Sequence, residues 1–208
     1  MPTAVSRMFH AMAQLPLFGT GPRTLLDDAS GRIDYIPGFL APDEARDWFE
    51  RLRAGVRWQS GRRRMYEREV DVPRLVASHL LDDPHLPAPL AEAAARVRTA
   101  VDAPFNAVGL NLYRDAQDSV APHNDRLAHI AEGHPIALLS LGDTRRMTVR
   151  AKLPPRRVLH VDLEPGSLFV MSYATQLHYD HGIPKQHTPV GPRISLAFRV
   201  RRREAATD

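Results

Sequence analysis

Three His-x-Asp pairs punctuate this chain: His123/Asp125, His160/Asp162 and His178/Asp180. On an extended segment residues i and i+2 leave on the same side, so each pair can present an imidazole and a carboxylate to one ion. A third ligand from far along the chain would complete two histidines and a carboxylate on one face of the metal, the set used by non-haem Fe(II) oxygenases, with three positions left for a cosubstrate and oxygen. The distant His181 is the histidine that answers the first pair. Context separates the pairs. His160/Asp162 sits in Val158-Leu159-His160-Val161-Asp162-Leu163, which alternates like an ordinary strand. His123/Asp125 instead closes a loop, 114 to 122, that leaves a strand carrying Asn111 and Tyr113 on one face, where an amide and a phenol can meet a bound acid.

The segment 193 to 200 alternates cleanly, with Ile194, Leu196, Phe198 and Val200 on one face and Arg193, Ser195, Ala197 and Arg199 on the other. Six residues separate the two arginine backbones by roughly 20 Å, too far to grip one carboxylate together. Reaching inward, they can hold opposite ends of a dicarboxylate, since a guanidinium binds a carboxylate in bidentate fashion. An edge strand with solvated arginines is the competing reading.

Taken together, Asn111-Leu112-Tyr113-Arg114-Asp115, Asp118, His123-x-Asp125, Pro135-Ile136, Gly166-Ser167-Leu168, Thr175, His178, His181, Pro184 and Pro192-Arg193-x-Ser195-Leu196-x-Phe198-Arg199 resemble the AlkB family of Fe(II)/2-oxoglutarate dioxygenases, over about residues 60 to 201. The resemblance implies that His123, Asp125 and His181 hold Fe(II). It assigns Asn111, Tyr113, Arg193 and Arg199 to 2-oxoglutarate, with Arg193 on the distal carboxylate, and puts His178 beside the metal site. It implies the family's double-stranded β-helix, and oxidative demethylation of N-alkylated bases in DNA or RNA, using O2 and converting 2-oxoglutarate to succinate. Two departures concern the substrate. Ser78 and His79 stand where the family has aromatic residues lining the base pocket, which leaves His79 and Tyr66 to stack the base. Arg126 stands where related repair enzymes carry an acidic residue just beyond the metal motif.

Several elements must position these groups. Residues 1 to 24 read as a flexible leader and 25 to 208 as one domain, a length able to bury a real core. Within the leader, Gln14-Leu15-Pro16-Leu17-Phe18 resembles the Gln-Leu-x-Leu-Phe peptide that docks bacterial repair proteins on the sliding clamp. A short strand from 32 to 39 leads to a helix from 42 to 54, where Pro42 suits the first turn and Ala45, Trp48, Phe49 and Leu52 recur with helical period. A second helix is expected from 89 to 101. Between the helices, Arg57, Arg62, Arg63, Arg64 and Arg68 with Trp58 and Tyr66 form a basic, aromatic segment suited to phosphate contact and stacking, and Arg74 follows it. Strands are expected at 136 to 141, 147 to 152, 157 to 163, 167 to 172, 178 to 182 and 193 to 201.

The fold class is therefore mixed α/β with a β core, a jelly roll supported by N-terminal helices. The formal net charge is +4, and all basic residues but Lys152 and Lys185 are arginine, which suits phosphate binding and equally a GC-rich genome. Without cysteine there is no thiolate metal site, and no stretch reads as a membrane span or signal peptide, so a cytoplasmic monomer is expected. The leading function is nucleic-acid demethylation. A 2-oxoglutarate-dependent hydroxylase or demethylase of a protein or small molecule is the alternative, and a non-catalytic binding module the third reading.

Overall fold

The computed structural model describes residues 21–65 and 68–202, and for 62–65 and 68–72 the backbone alone. Gln14, Leu15, Leu17, Phe18 and Tyr66 therefore lie outside the described residues.

Two helices open the chain's supporting layer. Helix α1 (Pro42–Gly55) starts with Pro42 in its first turn and Asp43 and Glu44 against the positive end of its dipole, and it buries Ala45, Trp48, Phe49 and Leu52. Helix α2 (Ala88–Ala100) buries Leu90, Ala93, Ala94 and Val97, and Trp48 Nε1 donates to Glu92 at 3.0 Å to tie the two helices. Both cover one face of a sheet, where Leu110, Leu112, Leu139, Leu141, Ile194, Leu196 and Phe198 meet them in one apolar cluster.

That sheet has eight antiparallel strands. They are β1 (Arg23–Asp28), β2 (Gly31–Ile36), β3 (Gln59–Met65), β4 (Arg68–Leu80), β5 (Ala107–Tyr113), β7 (Ile136–Gly142), β10 (Leu168–Met171) and β12 (Arg193–Arg199), in the spatial order β1-β2-β10-β7-β12-β5-β4-β3. A smaller sheet, β6-β11-β8-β9, is made of β6 (Val120–His123), β8 (Arg145–Ala151), β9 (Val158–Leu163) and β11 (Tyr179–Ile183). A second apolar cluster with Tyr35, Tyr113, Leu138, Met147, Val149, Phe169 and Ala197 lies between the sheets. Alternation along each central strand thus feeds two cores at once, as a strand covered on both faces requires. The jelly-roll expectation agrees with this arrangement.

Four features differ from the sequence expectation. Strand β12 is not an edge strand: it pairs with β5 on one side and β7 on the other, and residues 193 to 198 are buried. The basic segment before Arg74 is an antiparallel hairpin of β3 and β4, because the strand partner of β5 supplies backbone bonds that its arginines do not advertise. Strand β1 starts at Arg23, inside the span read as leader. A short helix, α3 (Tyr173–His178), precedes β11. Gly142 has φ of 80°, and a Cβ there would collide with the Pro192 carbonyl and the Phe49 ring, so only glycine fits the turn from β7.

Candidate metal and anion site

Strands β6 and β11 pair so that His123 stands directly across from His181, with ring centroids 4.6 Å apart. The close approach depends on Gly182, where a Cβ would come within 2.8 Å of the Val120 carbonyl oxygen. Asp125 follows His123 by two residues, and the three side chains bring ligand atoms within 4.8 Å of one another. Among the described residues this is the one cluster of histidine, cysteine, aspartate or glutamate able to hold a metal ion. The donor set, two imidazoles and a carboxylate, fits Fe(II) with open positions.

The protonation states suit that use. His123 Nδ1 lies 2.9 Å from the Ala121 carbonyl, which can only accept, so Nδ1 carries a proton and Nε2 is the nitrogen left to meet a metal. His181 is held neutral: burial, and then the neighbouring His123, bring its pKa down to about 3 against the opposing pull of Asp125. Burial alone would push the Asp125 carboxyl up, but the Arg199 guanidinium and its hydrogen bonds outweigh that and hold it below the usual carboxylate range. Arg199 grips both carboxylate oxygens, Nε to Oδ2 at 2.8 Å and Nη2 to Oδ1 at 2.9 Å.

Arg199 spends its remaining described hydrogen bond on the Ala197 carbonyl. Besides the role in dicarboxylate binding expected of it, Arg199 here holds the carboxylate of the metal triad. Arg193 is the arginine left for an anion. It is 1% exposed, its Nε donates to Ser140 Oγ at 2.8 Å, and both Nη1 and Nη2 are buried without a hydrogen-bond partner. Burial lowers its pKa to about 10, so it stays charged at neutral pH. Two unpaired NH2 groups on a buried cation fit one end of a dicarboxylate such as 2-oxoglutarate, whose charge would relieve the cost of burying the guanidinium.

Tyr113 stands opposite Arg193 in the β5–β12 ladder, and its ring has the Arg193 guanidinium 5.4 Å from its centroid. Burial pushes the Tyr113 phenol up, so it remains protonated. Asn111 is on the same face, opposite Ser195, and accepts from Arg74 Nε at 2.7 Å. Arg74 thus belongs with Asn111, at the edge of the cofactor positions.

Not every expected residue converges. His79 pairs with Val108, whereas Asn111 pairs with Val76, so His79 leaves the opposite face of β4, toward the helices. It is not placed to stack a base at the metal, and Val76 and Ser78 occupy the facing positions. Arg126 is exposed directly after Asp125. His178 is exposed at the end of α3 and borders a surface depression with Lys152 and Pro154. His160 and Asp162 lie exposed on β9, and Asp162 pairs with Arg146.

Two residues escaped the sequence reading. Gln176, fully buried in α3, accepts the Asp125 backbone N–H at 3.0 Å through Oε1. Arg145, fully buried on β8, donates to the carbonyls of Asp115, Asp118 and Pro184 at 2.8 to 2.9 Å, and its guanidinium also lies 5.4 Å from the Tyr113 ring centroid. It pins the loop between β5 and β6. Asp118, a buried member of that loop, accepts from both the Arg114 guanidinium and the Arg114 backbone N–H.

Residues 32–199 match the family model of the 2OG-Fe(II) oxygenase superfamily. The mouse alpha-ketoglutarate-dependent dioxygenase alkB homolog 3 is 33% identical over 193 residues, covering 81% of this chain and 66% of the relative. The bovine DNA oxidative demethylase ALKBH2 is 31% identical over 179 residues, covering 75% and 64%. The chain thus spans just under two thirds of the length of these relatives. Among solved structures, a Pseudomonas putida prolyl-4-hydroxylase aligns with TM-score 0.55 at 16% identity, over 83% of this chain and 93% of that one. A Trichoplax adhaerens prolyl hydroxylase bound to a peptide fragment aligns with TM-score 0.58 at 10% identity, over 80% and 83%. These two share the fold. The chain belongs to the 2OG-Fe(II) oxygenase superfamily and, within it, to the AlkB family.

Proposed function

We propose that this protein oxidatively demethylates N-alkylated bases in DNA or RNA. The observation that carries the reading is the meeting of His123, Asp125 and His181 on the same face of the fold as Arg193, a buried cation with two unpaired NH2 groups. The relatives named for DNA oxidative demethylation and alkB-type dioxygenase activity support the substrate class.

When bound, Fe(II) and 2-oxoglutarate supply an oxygen-dependent oxidation that yields succinate and hydroxylates an N-methyl group, which is then lost as formaldehyde. His123 offers Nε2, its Nδ1 being engaged by the Ala121 carbonyl, His181 offers a neutral imidazole, and Asp125 offers a carboxylate kept ionised by Arg199. Gln176 holds the Asp125 backbone in place. Arg193 receives the distal carboxylate of the cosubstrate, with Tyr113 and Asn111 beside it, so that orientation is set before the substrate arrives. The target base must leave its stack to reach these groups, at a cost of about a few kcal/mol in a duplex and less in a single strand.

The segment Gln14 to Phe18 is read as a sliding-clamp peptide, and the protein as a cytoplasmic monomer; no helix among the described residues is long and apolar enough to cross a membrane. A pull-down with purified clamp that treats Leu17→Ala/Phe18→Ala like the native chain would remove the clamp from the account. Succinate formation tests the activity: alkylated single-stranded oligonucleotide should stimulate it well above plain oligonucleotide. Equal rates with both would refute the demethylase reading.

A further inference from the structure

Past the end of β12 lies a groove of about 910 Å³ bordered by Leu80, Asn106, His129, Arg201 and Arg202, with Asp82 as its acidic member. None of these residues is used by the metal site, but chain and strand neighbours link the groove to it. Arg201 lies two residues beyond Arg199, so an extended backbone sends both side chains to one face. The Arg201 guanidinium donates to Ser78 Oγ at 3.2 Å. Ser78 pairs with Gly109, and a Cβ on Gly109 would meet Arg199 Nη1 at 3.0 Å. On the other wall, His129 closes a 3-10 turn (Leu127–His129) that begins two residues after Asp125.

The two arginines are exposed, but their backbones are fixed. Asn106 accepts the Arg201 N–H at 2.7 Å and returns a side-chain N–H to the Arg201 carbonyl at 2.9 Å. The Arg202 N–H donates to the His129 carbonyl at 3.2 Å, and Arg201 bridges to Ile130. The guanidinium bonds that are described go to neutral acceptors, the Ser78 hydroxyl and the Ile130 carbonyl. Each fork therefore keeps donors for an anion, on a surface held by backbone bonds. Leu80, 52% exposed, adds an apolar contact on the site face of β4. Positive, planar donors beside an apolar contact match a sugar-phosphate chain.

We propose that this groove holds the backbone of a single nucleic-acid strand next to the target nucleotide, with Arg201 and Arg202 each meeting a phosphate; this rests on the nucleic-acid reading of the metal site. The test is fluorescence anisotropy of a labelled, unmodified single-stranded oligodeoxynucleotide with the full chain across a salt series. Each phosphate contact in a single strand contributes about 0.7 to the slope of log affinity on log salt, so Arg201→Gln/Arg202→Gln should lower the slope by about 1.4. Arg201→Lys/Arg202→Lys, which keeps the charge but not the fork, should retain most of it. Arg46→Gln/Arg51→Gln, on the helix side of the large sheet, should leave it unchanged. Matching thermal melts check that the variants fold. An unchanged slope in the glutamine variant, or an equal loss in the helix-side control, would overturn the groove while leaving the demethylase reading in place. Absence of binding by the native chain would overturn both.

Discussion

Gln176 and Asp125 lie 51 residues apart in sequence, and the buried Gln176 amide oxygen accepts the Asp125 backbone N–H at 3.0 Å. The bond fixes the peptide that carries the one carboxylate of the triad, so its effect should appear in metal affinity. Outer partners of metal ligands commonly contribute about 10–100-fold. Gln176→Ala should weaken Mn(II) binding, measured by electron paramagnetic resonance without cosubstrate, by about that factor. Gln176→Glu, which keeps an acceptor, should recover part of the loss. Equal affinity in native and alanine proteins would remove Gln176 from the site.

Arg193 and Arg145 both contact the Tyr113 ring but should respond in opposite ways. Arg193 has unpaired N–H groups, so Arg193→Met removes a buried charge whose burial is costly, and the cofactor-free protein should melt at the same temperature or higher. The melting shift produced by 2-oxoglutarate should vanish, and affinity should fall by about 10–100-fold, the value of charge-assisted bonds of about 1.5–3 kcal/mol. A preserved ligand-induced shift would count against the assignment.

Arg145→Met should instead destabilise the protein by about 2–4 kcal/mol, because three buried carbonyls lose their donors together. Denaturant titration measures this directly. Stability within about 0.5 kcal/mol of native would mean that the loop does not depend on Arg145.

Asp118 sets a pH dependence. Burial would raise its carboxyl, but the Arg114 side-chain and backbone bonds dominate together and hold it below the ordinary value of 3.8. In the interval between the folded and unfolded values the unfolded chain binds more protons, so this contribution is present above pH 3.8 and is lost as pH falls through the folded value. Asp118→Asn should therefore be less stable than native at pH 7, and the gap should narrow as pH drops below about 4. A gap that is constant with pH would show that the carboxylate charge is not what stabilises the loop.

The metal triad was legible because the i, i+2 spacing of His123 and Asp125 and the alternation of 193 to 200 survive translation into structure without change. Register was less legible. Leu75, Val76 and Ala77 are all apolar, so nothing local shows which face of β4 His79 takes, and only its pairing with Val108 decides. The β3–β4 hairpin was hidden by consecutive arginines, which break the hydrophobic alternation that marks a strand. Arg145 reads as one of many surface arginines, next to the exposed Arg146, until three distant carbonyls converge on it. Gln176 is equally silent, since a polar residue in a short helix is ordinarily solvated.

The central claim is demethylation at the His123, Asp125 and His181 site, and formaldehyde release tests it most directly. Single-stranded DNA carrying methylated adenine or cytosine is incubated with Fe(II), 2-oxoglutarate and oxygen, and the bases are analysed in parallel. The account predicts formaldehyde together with restored unmodified base from the native protein, and neither from His123→Ala, which keeps its fold because His123 serves the metal and not the apolar core. Formaldehyde and restored base in equal amounts from His123→Ala, or succinate formed by the native protein with no change in any methylated base, would contradict it.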